Sequence, residues 1–418
     1  MNQNTRLPTL PRLLLAGLAL LLGSMTASAQ PVAIGSQNVA PAATLLLPYF
    51  EVDLANEQGR QTAIRLTNTS ATAILLNVVL WTDLGIPTQR FNVYQQGYAT
   101  TDIDLRLLFK GVRPVTASAG QDPTDQISPQ GNLSQDINFA SCNGQLPYPG
   151  LIDAATLTSL RNAHRGLGAT QFGGNCAGVP YGDNIARGYV TIDLVNQCSN
   201  DIPGSPAYSF PNILTAQNVV TGTVTYTDRG NGLSFGEPLV HLEANPTDPR
   251  VNTAGSNSFY GRLTNFAGND VREPLPSISG ARYVNGGTFA TATDLIVFRD
   301  PGTTVLPFAC GGALPAPFPL GQTQIRAFNE QEGTAVVTGT PFPYVTQRVA
   351  ASSLTNFTAG WIFANLTRAG QNAAISGRQQ SYISIRQFRA GQYGGSTSAV
   401  EMNNAINPAS TNFILGGN

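Results

Sequence analysis

Hydrophobic and polar positions alternate in short bursts along most of this chain, and alternation with a period of two builds half-buried strands. Gln61 to Thr67 sets Ile64 and Leu66 on one face. Ile74 to Trp81 is a nearly unbroken apolar run, which predicts a strand covered on both faces. Thr44 to Val52 reads as a strand with an edge proline at Pro48, and Phe91 to Tyr94 as another. Thr101 to Leu105 is a fifth, with acids alternating with apolar residues. Asn68-Thr69-Ser70, Asp83-Leu84-Gly85 and Gly97-Tyr98 supply the turns between them. Short strands at such close turn spacing predict a sandwich or barrel.

Residues 115–135 are rich in Gly, Pro, Ser and Asp and read as a long surface loop. Leu151 to His164 is the one convincing helix after the leader, with Asp153 placed to cap it and Gly166 to stop it. Strand alternation returns at Arg187 to Val195 and Val219 to Thr227. A loop-rich stretch around Phe259 to Leu263 follows. Further strands are predicted at Leu295 to Phe298, Thr323 to Phe328, Ala335 to Thr338, Trp361 to Leu366 and Tyr382 to Phe388. No fixed-period repeat runs through the chain.

The first residues break this pattern. Arg6 and Arg12 precede an apolar run from Leu13 to Leu22, and Ala27-Ser28-Ala29 has the small residues of a cleavage site. Residues 1–29 therefore read as a secretory signal, and the run is too short to span a bilayer at ~20 residues. The protein is expected in the periplasm, on the cell surface or released. No later run is long enough to be a transmembrane segment. Only 11% of residues are charged, against ~25% in ordinary soluble proteins, so amides and hydroxyls carry the surface. The net charge is −1 and the arginines are scattered, which excludes the clustered basic face that nucleic-acid binding requires. Cys142, Cys176, Cys198 and Cys310 make an even count that favours two disulfides in an oxidising compartment. Their spacing matches no zinc or haem motif. The expected pairing is Cys142–Cys176, a loop around the helix, with Cys198–Cys310.

Two blocks are familiar. Leu47-Pro48-Tyr49-Phe50, Leu80-Trp81-Thr82-Asp83 and Gly85-Ile86-Pro87-Thr88 open the first. The second holds Arg187-Gly188-Tyr189-Val190-Thr191, Leu239-Val240-His241-Leu242-Glu243, Tyr260-Gly261-Arg262 and Asp294-Leu295-Ile296-Val297-Phe298-Arg299-Asp300. Together they resemble a family of secreted, β-rich bacterial proteins with no assigned activity. The first block is also similar to a common extracellular Ig-like sandwich module, in which a Gly-Trp-apolar strand such as Gly360-Trp361-Ile362-Phe363 completes the sheet. That likeness implies an all-β Ig-like sandwich built from residues 30–114 and 351–418. Residues 115–350 would then be a disulfide-bonded, β-rich insertion with one short helix, and Trp361 to Leu366 would pair in the sandwich of Ile74 to Trp81.

Candidate chemistry is sparse. Gly232-Leu233-Ser234-Phe235-Gly236 matches a nucleophile elbow, but that motif needs a helix after the serine. Glu237-Pro238 and an apolar run follow instead, so a hairpin turn is the better reading. His241 and Glu243 lie on one face of a strand, which makes them the functional candidates to examine, with a structural pair as the default. His164 sits at a helix C-terminus, where positive charge is favoured. Asp102 and Asp104 beside Arg106 read as a solvated edge. Loop acids such as Asp122, Asp125 and Asp248 could bind calcium weakly, but no EF-hand-like loop supports a site. Trp81 and Trp361 would serve a sugar platform if they were not core. No catalytic, cofactor or metal constellation is assigned. The expectation is a non-enzymatic structural or binding protein of the envelope or extracellular space, with a surface glycan or a protein as its partner. The alternatives are a hydrolase acting on polysaccharide or ester, and a carbohydrate-binding module.

Overall fold

A computed structural model describes residues 40–116, 139–142, 145–146, 148, 150–252, 258–264, 270–288, 290–368 and 379–402. The leader-like segment and Asp122 and Asp125 lie outside them. Five strands come first: β1 (Thr44–Asp53), β2 (Arg60–Asn68), β3 (Ile74–Thr82), β4 (Pro87–Gln95) and β5 (Thr100–Asp104). Two helices follow, α1 (Leu105–Phe109) and α2 (Ala154–Ala163). Next are β6 (Ile185–Val195), β7 (Val220–Asp228), β8 (Leu233–Pro238) and β9 (Val240–Leu242). The remaining strands begin with β10 (Ile278–Val284), β11 (Ala292–Arg299), β12 (Gln324–Asn329), β13 (Thr334–Val336) and β14 (Thr346–Ala350). They end with β15 (Ala359–Asn365), β16 (Ser381–Arg389), β17 (Tyr393–Ser398) and β18 (Val400–Glu401).

The protein is all-β, with four antiparallel sheets. Sheet I runs β4-β3-β6-β1-β9 and sheet II β5-β2-β7-β8. Sheet III runs β14-β11-β16-β17 and sheet IV β13-β12-β15-β10-β18. The apolar run of β3 is buried along its whole length, as its composition predicts. Its side chains sort by parity. Ile74, Leu76, Val78 and Leu80 face sheet II in one core, which also holds Ile64 and Leu66 of β2. Leu75, Val79 and Trp81 face a second core formed by loops that cover the outer side of sheet I. Burying such a side chain contributes ~1.5–3 kcal/mol, so a strand with two wet faces would never carry this sequence. Sheets III and IV enclose a third core, with Leu295, Val297, Ile383 and Ile385 facing Ala281, Ile325, Ile362 and Ala364.

The closing strand is therefore not where the module resemblance put it. β15 pairs with β10 and β12, with Trp361 opposite Arg282 and Phe328. β3 has no free edge, because β4 and β6 flank it. The first sandwich is completed by β6 to β9, from within the stretch taken as an insertion. Gly360 explains the choice of neighbour. A Cβ there would meet the Phe328 carbonyl oxygen at 1.8 Å, so this glycine is fitted to the backbone of β12.

The disulfides also differ from expectation. Cys142 joins Cys198 and Cys176 joins Cys310, closing separations of 56 and 134 residues. Backbone pairing decides it. Cys176 and Phe308 exchange two N–H···O bonds of 2.8 and 3.0 Å, which lays the proline-dense loop carrying Cys310 beside the loop after α2. α2 itself forms as read, with Asp153 accepting from the Thr156 amide at its N-terminus. Thr101 to Leu105 is a strand only as far as Asp104. That carboxylate accepts from the amides of Arg106 and Leu107 and starts α1.

Candidate functional site

Pro48 lies in β1 just past the end of β9, which pairs only with Thr44 to Leu46, so β6 alone flanks the strand there. The ladder from β1 to β6 slips between Leu47 and Phe50, a bulge that accommodates the missing proline N–H. The slip decides which side chains meet the core. Leu45 and Leu47 face it before the bulge, Phe50 and Val52 after it. Glu51, which unbroken alternation would send inward with Leu45 and Leu47, is turned instead toward sheet III.

There Glu51 gathers cations. Its Oε1 accepts from the Tyr49 hydroxyl at 2.9 Å and from Arg60 Nη1 at 2.8 Å, and its Oε2 from Arg348 Nη1 at 3.0 Å. Burial alone would raise this carboxyl, but the guanidiniums of Arg348, Arg60 and Arg386 outweigh it and hold Glu51 below the usual range. Arg348, on β14, also pairs with Asp294 of β11 at 3.3 Å. Burial raises Asp294, helped by the Glu51 charge and opposed by Arg348. Two carboxyls that share one guanidinium are thus pushed in opposite directions.

Arg386 of β16 completes the junction. Its guanidinium lies 3.7 Å from the centre of the Tyr226 ring and 5.5 Å from that of Phe235, a stacked cation–π arrangement. It is 4% exposed, and its Nε and Nη2 have no hydrogen-bond partner among the described residues. Burial raises the neighbouring Glu237 carboxyl, although Arg386 pulls it down. Ser396 Oγ donates to the Gly236 carbonyl at 3.2 Å and the Gly391 amide to Asn231 at 2.7 Å, tying the β7–β8 hairpin to β16 and β17. Between these elements lies a cleft of about 210 Å³, bounded by Gln61, Leu233, Phe235, Phe388, Asp228 and the three arginines. A second cleft of about 430 Å³, beside Trp81, Ile86, Phe172, Leu263 and Leu306, is mainly apolar. Ligand sites combine apolar walls with a few convergent polar groups, which singles out the first.

The residues singled out by sequence do not converge there. Ser234 is the second residue of β8, in a hairpin with β7, and β9 follows it where the motif needs a helix. Both ring nitrogens of His241 are engaged by backbone: Nδ1 with the Leu239 carbonyl at 2.8 Å, Nε2 with the Gly222 amide at 3.2 Å. Burial lowers its pKa. Glu243 lies just past β9, where its carbonyl accepts from the Glu273 amide. Asp102 makes an exposed two-point pair with Arg65, while Asp104 caps α1. Asp248 is buried, with its carbonyl accepting from the Val251 and Asn252 amides. Among the described residues no group of three or more His, Cys, Asp or Glu could hold a metal ion. Trp81 is core, stacked on Tyr189 with its Nε1 donating to Thr191. Trp361 is 41% exposed on another sheet, so the two form no common platform. Sequence reading missed Glu51, Asp294, Arg348 and Arg386. The one available signal was Pro48 in an otherwise apolar strand, where the edge is read but the bulge beside it is not.

Two buried groups away from the cleft set a pH dependence. His164 at the end of α2 is neutral, not cationic as its position suggested. Its ring is wedged between Phe50 and Phe109, and burial depresses its pKa to about 4. Asp83, in the β3–β4 turn, accepts from the Val179 amide at 3.1 Å, and burial pushes its carboxyl up to about 7. The signs oppose. His164 contributes stability that is complete above its unfolded value of about 6.5 and lost as pH falls toward 4. Asp83 binds a proton in the folded state that the unfolded chain has released, so its contribution declines as pH rises from about 4 to 7. Asp83→Asn is expected to raise stability at pH 8 by about 2–4 kcal/mol and to expose the histidine effect as a steep loss below pH 6.5. Urea melts at pH 4.5, 6 and 8 measure both, and equal stability of variant and parent at pH 8 would contradict the assignment.

No family model, curated protein or solved structure matches the chain. Among the described residues no helix is long and apolar enough to cross a membrane.

Proposed function

We propose that the chain is exported and acts outside the cytoplasm as a non-enzymatic binding protein, with the cleft between sheets II and III as its ligand site. The observation that carries this reading is Arg386. Leaving charge-bearing donors buried and unpaired is costly, and here two of them belong to a residue that lines a cleft with partly exposed aromatic walls. Two disulfides support an oxidising compartment. Binding is favoured over catalysis because both Glu51 oxygens are already engaged by Tyr49, Arg60 and Arg348, which leaves a poor base or nucleophile.

Hydrolysis is the second reading, favoured by one observation. Glu51 and Asp294 line one cleft with pKa values driven apart, the pattern of an acid–base pair. Ligand-observed NMR on the full chain, with sulfate, citrate, uronic acids and neutral methyl glycosides and disaccharides, tests both. At least one class is expected to bind without conversion and to bind at least tenfold more weakly to Arg386→Lys, with circular dichroism confirming the fold. Turnover that Asp294→Asn abolishes would replace binding by hydrolysis. Binding indifferent to Arg386→Lys would remove the cleft from consideration.

A further inference from the structure

Resting on the binding reading, we infer that the ligand class of the cleft is a neutral saccharide, held as a single ring, and not an anion. The charge balance makes the choice. Arg60, Arg348 and Arg386 line the cleft against Glu51, Asp228 and Asp294, so an entering anion meets as many carboxylates as guanidiniums. Arg60 and Arg348 are moreover committed to Glu51 and Asp294 at 2.8 to 3.3 Å. Of the three, Arg386 is the one with buried donors that no protein group accepts from.

A hydroxyl suits this mixture as a carboxylate or phosphate does not. It accepts from a guanidinium and donates to a carboxylate through the same oxygen. Vicinal hydroxyls on one ring could therefore take Arg386 Nε and Nη2 as donors and Asp294 or Asp228 as acceptors, with no net charge to desolvate. The walls agree. Leu233, Phe235 and Phe388 are partly exposed and offer apolar surface to the C–H face of a ring while its hydroxyls point to the polar side. The Phe235 ring is fixed from behind by Gly394, where a Cβ would come within 3.1 Å of it. At about 210 Å³ the cleft falls below the ~300–1,000 Å³ of sites that enclose larger ligands. One sugar residue would enter, and the rest of any chain would remain in solvent.

Calorimetry on the full chain distinguishes this proposal from the site reading beneath it. The probes are methyl glycosides of glucose, galactose, mannose and N-acetylglucosamine, their β- and α-linked disaccharides, galacturonic and glucuronic acid, and sulfate. A neutral glycoside is expected to bind at least tenfold more tightly than its uronic counterpart and than sulfate. Phe388→Ala should weaken it tenfold or more with an unchanged melting profile, and Arg386→Lys likewise. Trp361→Ala, on the far sheet, should leave affinity unchanged. Tighter binding of uronates or sulfate, still lost in Arg386→Lys, would overturn the neutral-sugar proposal and leave the cleft as an anion site. Binding lost in Trp361→Ala but kept in Phe388→Ala would overturn both the ligand class and the site. So would the absence of binding by every probe.

Discussion

An Asp193→Ala variant is expected to lose about 3–5 kcal/mol of folding stability, the usual result of breaking a buried charge network. Asp193 of β6 sits opposite Thr44 of β1 and is fully buried. Its Oδ1 accepts from Thr44 Oγ1 at 2.6 Å, and its Oδ2 from the hydroxyls of Tyr208 and Tyr260 at 2.6 and 2.8 Å. Arg272 stands 3.7 Å away, equally buried, between Asp193 and Asp270. Removing the carboxylate leaves three hydroxyls without their acceptor and a buried guanidinium with half its counter-charge. The contrasting variant is Asp102→Ala. Asp102 grips Arg65 at 2.7 and 2.9 Å, a better pairing distance, yet both side chains are over 60% exposed. Exposed pairs are worth ~0–1 kcal/mol, so this loss should be small. Denaturant melts of the two variants decide whether burial or contact distance sets the cost. A loss under 1 kcal/mol at Asp193 would mean that the network is not holding the outer cover of sheet I in place.

Joint replacement of Cys176 and Cys310 by alanine should be the more damaging of the two disulfide deletions. Loop-closure entropy scales with the logarithm of the loop, so cross-links closing 134 and 56 residues restrict the unfolded chain by about 5 and about 4 kcal/mol. The longer one also fastens the proline-dense loop to the segment after α2, across the second core. Chemical denaturation of the double variants ranks them. Non-reducing peptide mapping should recover Cys142 linked to Cys198, and a Cys142–Cys176 peptide would refute the pairing.

The all-β class and most strands were legible because parity and turn chemistry are local. β3 betrayed its double burial through Ile74 to Trp81, and α2 its start through Asp153. Partner choice was not legible. Whether Trp361 pairs with β3 or with β12 depends on which edges are already filled, and β4 and β6 fill both edges of β3. The disulfide pairing failed for the same reason, since the Cys176–Phe308 bridge is a long-range backbone event. The cleft was hidden further still. Glu51, Arg348 and Arg386 stand far apart in the chain, and each alone reads as an ordinary strand charge. His241 drew attention because histidines are rare here, but scarcity is no measure of chemistry when both ring nitrogens are engaged by the backbone.

The bulge at Pro48 amounts to a change of phase written into a single strand. Before it, β1 spells one message, with odd positions for oil and even for its cover. After it, the two alphabets trade places. One residue thus lets a strand serve a sealed interior at one end and a charged crevice at the other. Were the same residues paired without the slip, the remainder of the strand would fall out of step, driving Glu51 into hydrocarbon and Phe50 among the arginines, so the place of the slip is as constrained as the composition around it.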